Sequence, residues 1–82
     1  MSNQARPVLT PAQWLVLERL AAGEDNAAIG VALGIRPSTV ASHIKVIYQR
    51  LPYVSMGDKR TAAATWYLTV GRALREKESR DD

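Results

Sequence analysis

Apolar residues return at every third or fourth position in four separate runs of the chain, and no run alternates apolar with polar as a half-buried strand does. The first run is "LTPAQWLVLERLAAG". Thr10 suits the N-cap, and Pro11 suits the first helical position, where no backbone donor is missed. Gln13 completes a capping box with Thr10, and Leu9 and Trp14 stand where a hydrophobic staple forms. Val16, Leu17, Leu20 and Ala21 share one face and Glu18 and Arg19 the other, until Gly23 stops the helix. Leu15 falls on the polar side and has no partner in the pattern.

The second run, "DNAAIGVALG", predicts a short helix with Asp25 as N-cap and Ile29, Ala32 and Leu33 as its apolar stripe. Gly34 follows as a turn residue that can take a positive φ. The third, "RPSTVASHIKVIYQRL", predicts a helix over 37–51 with Pro37 at its first position. Val40, Ile44, Ile47, Tyr48 and Leu51 form its apolar face, while Ser38, Ala41, Ser42, Lys45 and Gln49 form the other. Pro52 ends it, because the residue before a proline avoids the α region. After a loop, "PYVSMG", the fourth run begins at the N-cap Asp58 and predicts one long helix with Ala63, Trp66, Tyr67, Val70, Ala73 and Leu74 as its stripe. The fold class is therefore all-α: four helices, the last one extended, with Val16, Leu20, Ile29, Leu33, Val40, Ile44, Ile47 and Leu51 as the expected buried set. Residues 1–8 read as a flexible arm, 9–78 as the domain, and 79–82 as a disordered tail.

The 82 residues, 46% hydrophobic, suffice for one domain with a modest core and leave little room for a deep catalytic cleft. No run is apolar enough to cross a bilayer, and the N-terminus lacks the apolar stretch of a signal peptide, so the expected location is the cytoplasm. With no cysteine and a single histidine, neither a zinc site nor a catalytic constellation can be assembled: no metal and no cofactor are expected, nor an enzyme. The net charge is +3, and from Asn26 to Gly57 the chain carries Arg36, Lys45 and Arg50 but no acid. Such a positive segment is the footprint of a nucleic-acid binder, and equally that of an ordinary solvated basic surface.

The arrangement of the second and third helices separates the two. Two short helices joined through "LGI", the second with a polar and basic outer face, make a helix-turn-helix. The major groove of DNA admits one helix, and small residues in its first turns let the backbone approach the base edges. Ser38, Ala41 and Ser42 fit that description, and Lys45, a turn later, can reach a phosphate or a guanine.

Leu9, Thr10, Val16 and Leu17, then Gly23, Asn26 and Ile29, then Leu33, Ile35, Thr39, Val40 and His43, and finally Ile47 and Leu51 follow one another at consistent spacing. In this pattern the chain resembles the LuxR-type (GerE-like) helix-turn-helix of bacterial transcription regulators. The resemblance implies a tetrahelical, sequence-specific DNA-binding domain whose third helix reads the major groove of double-stranded DNA and whose fourth helix joins two copies into a homodimer. On it, the DNA-binding residues are Arg36, Ser38, Thr39, Ala41, Ser42, Lys45, Gln49 and Arg50, and the dimer residues are Ala63, Trp66, Tyr67 and Val70. Met1 and the charged tail fit a free-standing member. The chain departs from the family at Ala41, where a lysine is usual, at Arg36, where a serine caps the third helix, and at Pro52, where a glycine follows it. Ala41 is the main support for an alternative: a module of the same fold that captures RNA polymerase or another regulator.

Several residues carry two readings. His43 serves the packing of the third helix or touches a phosphate; Thr39 donates to a phosphate or caps the first turn. Trp66 and Tyr67 stack on bases or, as we expect, pack into the core or a dimer. Arg72, Arg75 and Lys77 complement the negative end of the last helix.

Overall fold

The computed structural model describes residues 8–52 and 58–80. They form α1 (Pro11–Ala21), α2 (Asn26–Leu33), α3 (Pro37–Arg50) and α4 (Lys59–Trp66), followed by a π-helical turn (Tyr67–Gly71) and α5 (Arg72–Arg80). There is no strand among the described residues. Of the expected arm, loop and tail, residues 1–7, 53–57 and 81–82 lie outside them, while residues 79 and 80, expected in the tail, continue α5.

The helix ends follow from their residues. Thr10 Oγ1 accepts from the Gln13 backbone N–H at 3.1 Å, and Gln13 Oε1 accepts from the Thr10 N–H at 2.9 Å, so the capping box of α1 is closed. At its other end Gly23 takes a φ of +92°. Its N–H donates to the Leu20 carbonyl and that of Glu24 to the Arg19 carbonyl, the Schellman pairing that a left-handed residue permits. The Asp25 carboxylate caps α2 by accepting from Ala28 N–H at 2.8 Å. Arg36 stands at the N-cap of α3 without a side-chain bond, as its chemistry dictates, and Leu51 ahead of Pro52 is extended. Asp58 caps α4. The hydrogen bond from the Thr61 hydroxyl is the leading cause holding the Asp58 carboxyl below its usual range, with backbone donors adding to it.

The core is made where α1 crosses α2, α3 and α4, and where α2 meets α3. Val16, Leu17, Ile29, Val40 and Ile47 are fully enclosed, with Leu20, Ile44, Leu51, Trp14 and Leu9 around them. Seven of the eight residues expected to be buried are buried; Leu33 is half-buried at the edge. Ala32, expected in the α2 stripe, is exposed, because an eight-residue helix lying on α1 and α3 turns only Ile29 and Gly30 fully inward. Leu15 is exposed, and none of the described residues covers it.

The largest departure from expectation is in the last helix, which is not a continuous α-helix. At the π turn the Arg72 N–H reaches back five residues to the Tyr67 carbonyl, so one extra residue enters the ladder and the stripe changes register. Val70 and Ala73, expected in the apolar stripe, are exposed, and Gly71 is buried. The cause is aromatic packing. The Trp66 ring stacks on Trp14, with centroids 6.2 Å apart and planes at 24°, and it lies against Gly71, where any Cβ would run into it. Thr69 Oγ1 donates to the Thr65 carbonyl at 2.8 Å and to that of Trp66 at 3.3 Å, supplying a partner where the ladder is disturbed.

Candidate nucleic-acid interface

The site is a helix pair. Gly34 at the end of α2 has a φ of +72°, the left-handed conformation that turns the chain sharply, and the Ile35 N–H closes the turn on the Gly30 carbonyl at 2.9 Å. The turn can be this close because Gly30 has no side chain: a Cβ there would stand 2.6 Å from the Ile35 carbonyl oxygen. Val40, Ile44 and Ile47 then bury the inner face of α3 against the core, which fixes the side it shows to solvent.

All eight residues expected to contact DNA are exposed, from the N-cap of α3 to its last turn. Ser38, Ala41, Ser42, Lys45 and Gln49 follow the i, i+3, i+4, i+7, i+11 spacing of a single outward stripe, with Arg36, Thr39 and Arg50 beside it. Ser42 Oγ donates to the Ser38 carbonyl at 3.2 Å. Among the described residues Arg36 and Lys45 have no acidic partner. Of the acids elsewhere, Glu24 pairs with Arg19 at 2.9 Å and Glu18 with Arg75 at 2.9 Å, while Asp25 and Asp58 cap helices. The positive field of α3 is therefore not cancelled locally.

Other expected residues take different places. Arg50 Nη1 donates to the Val8 carbonyl at 2.9 Å, tying the segment before α1 to the end of α3. His43 is half-buried and takes no hydrogen bond from the described residues. Ala63 and Tyr67, expected in a dimer contact, are buried in the chain's own core, and Trp66 is half-buried on Trp14; of that set Val70 is exposed. Arg75 is more than a solvated helix end. It bridges α5 to Glu18 of α1 and reaches the Tyr67 hydroxyl at 3.4 Å.

One positioning residue was not legible in the pattern. Arg60, in the first turn of α4, donates from Nη1 to Asn26 Oδ1 at 3.1 Å and from Nη2 to the Glu24 carbonyl at 2.7 Å. Both acceptors flank the N-cap of α2, so a forked side chain ties the fourth helix to the start of the helix pair. Its partners are distant in sequence and one is a backbone atom, so neither spacing nor charge pattern points to it.

The geometry defines a helix-turn-helix with a basic, solvent-facing second helix. The family model GerE, bacterial regulatory proteins of the luxR family, matches residues 7–58, and the chain belongs to that family. Two curated relatives, each named probable transcriptional regulatory protein NarL, come from Mycobacterium tuberculosis strains CDC 1551 / Oshkosh and ATCC 25618 / H37Rv, and both are 36% identical over 58 residues. That match covers 71% of this chain but 26% of each relative, so the chain spans about a quarter of their length. No solved structure matches the chain. No described helix is long and apolar enough to cross a membrane.

Proposed function

We propose that the chain is a sequence-specific DNA-binding regulator of transcription whose α3 reads the major groove. The observation that carries this reading is the exposed stripe of small and polar residues on α3 around Lys45, flanked by Arg36 and Arg50, with no acid from Asn26 to Gly57. Phosphate contacts supply affinity and register, and groove contacts supply sequence preference. Lys45→Ala is expected to weaken specific binding by about 1–3 kcal/mol with the circular dichroism spectrum unchanged. Arg36→Ala is expected to weaken binding to all sequences alike and to lower the salt slope by about one. Titration of labelled genomic fragments at two salt concentrations measures both. Unchanged affinity in both folded variants would sink the reading.

A second reading is a module that captures RNA polymerase or another regulator. Its specific support is the uncharged outer face of α2, where Ala27, Ala28, Val31 and Ala32 are exposed, Val31 at 85%. Val31→Glu separates the two readings, since it leaves the α3 stripe untouched.

A single recognition helix spans few base pairs, so useful specificity calls for two copies on a two-fold site. The face available for that contact is the outer side of the last helix, where Leu68 is 50% and Val70 45% exposed at the π turn. Val70→Asp is expected to leave the fold intact and abolish the two-to-one complex in sedimentation with DNA. A complex that stays two-to-one in this variant places the contact elsewhere.

A further inference from the structure

The reading stripe of α3 is chemically lopsided. Its C-terminal half carries long donors, Lys45 and Gln49. Its N-terminal half presents the methyl of Ala41 and, beside it, Ser42, whose hydroxyl hydrogen is spent on the Ser38 carbonyl at 3.2 Å. Ser42 is left with its Cβ and its oxygen lone pairs facing out. No acidic side chain lies on α3, so an amino edge at this end of the stripe finds acceptors only in the hydroxyl oxygens of Ser38, Thr39 and Ser42, and none at Ala41. Of the four bases only thymine presents an apolar group in the major groove, its C5-methyl, and an alanine is one of the side chains that contact it. Every other edge set against Ala41 would lose water without gaining a partner.

From this we infer that Ala41, with the Cβ of Ser42, selects thymine by its C5-methyl, and that Lys45, one turn further, takes a neighbouring guanine. The half-site then holds a T-rich step beside a G. The inference rests on the reading of α3 in the major groove and names the base chemistry it recognises. Ala41 acts by shape and by the absence of a donor. An alanine here excludes guanine through the same position at which a lysine would attract it.

The test begins with selection of bound duplexes from a random library by the full chain, followed by replacement of each thymine in the selected half-site with deoxyuridine, one at a time. Deoxyuridine removes the C5-methyl and keeps every hydrogen-bonding group. The expected result is a loss of about three- to fivefold in affinity at one or two adjacent positions, the size expected for burying one methyl group. Selection repeated with Ala41→Lys, an exposed position where the fold is not at stake, is expected to move the preference at those positions from thymine to guanine. A defined half-site that tolerates deoxyuridine at every position, or keeps its thymine preference in Ala41→Lys, overturns this inference and leaves the DNA-binding reading standing. A library from which no sequence is enriched overturns the DNA-binding reading itself.

Discussion

Ile47→Ala is expected to remove about 2–5 kcal/mol of folding stability. The side chain is fully enclosed and lies on α3 where that helix packs on α1. Truncation takes away buried methyl and methylene groups and leaves a hole in the core cluster, whose members Val16, Leu17, Ile29 and Val40 are likewise fully enclosed, so the cluster has little room to collapse. A domain of this length has a total stability of about 4–12 kcal/mol at about 0.05–0.15 kcal/mol per residue. One substitution therefore consumes a large fraction. Leu33→Ala, at a half-buried edge position, is expected to cost less. Urea titration measures both, with a shift of the midpoint at unchanged slope marking a stability effect. Ile47 points away from the stripe of Ser38, Ala41, Ser42 and Lys45, so on the proposed reading the folded fraction of the variant is expected to bind DNA as the wild type does. A loss below about 1 kcal/mol would mean that α3 is not seated on the core as described.

Where the chain's signals are local, the fold was legible in advance. Thr10, Gln13, Gly23, Asp25, Gly34, Pro37 and Pro52 act on backbone groups within a turn of themselves, and each sets a helix end that the structure shows. The inner face of α3 was legible for a related reason: four buried residues at helical spacing leave one choice of which side faces solvent. What escaped was non-local. The π turn depends on the Trp66 ring meeting Trp14 from another helix and lying over Gly71, and periodicity within one helix carries no trace of that. With the register shifted, Val70 moved out, while Tyr67 and Ala63 were claimed by the core. The stripe of the last helix could be read as a dimer contact or as core, and only packing divides those two jobs. Arg60 and Arg50 escaped likewise. Each donates to acceptors more than thirty residues away in sequence: Arg60 to the Glu24 backbone carbonyl, 36 away, and the Asn26 side-chain oxygen, 34 away, and Arg50 to the Val8 backbone carbonyl, 42 away. Within the candidate site, charge and spacing marked the exposed residues of α3 correctly, but that Arg50 holds the segment before α1 rather than standing free was visible only in three dimensions.

Gly30→Val is expected to be as damaging as a core truncation, although helix propensity alone points the other way. Glycine inside a helix is worse than alanine by about 0.5–1 kcal/mol, so by propensity any ordinary residue at position 30 of α2 would be tolerated or welcome. Space decides otherwise. A Cβ at Gly30 meets the Ile35 carbonyl oxygen at 2.6 Å, the Pro37 nitrogen at 3.4 Å and the Arg36 carbonyl carbon at 3.5 Å. All three are backbone atoms of the turn into α3, so no change of rotamer relieves the contact. Either α2 lifts away from α3 or the turn opens. The first uncovers Ile29 and Val40; the second breaks the bond from Ile35 N–H to the Gly30 carbonyl. Overpacking of this kind costs about 1–3 kcal/mol, and the branched side chain of valine adds two methyl groups to the same blocked space, which puts the loss at or above the upper end. Gly30→Ala is the milder case, with its propensity gain offsetting part of the clash. Because the turn sets how α3 is presented, both variants are expected to lose DNA affinity beyond what their unfolded fraction explains, when binding is measured at a temperature where circular dichroism shows them folded. Wild-type affinity in folded Gly30→Val would show that DNA binding does not depend on the spacing of α2 and α3.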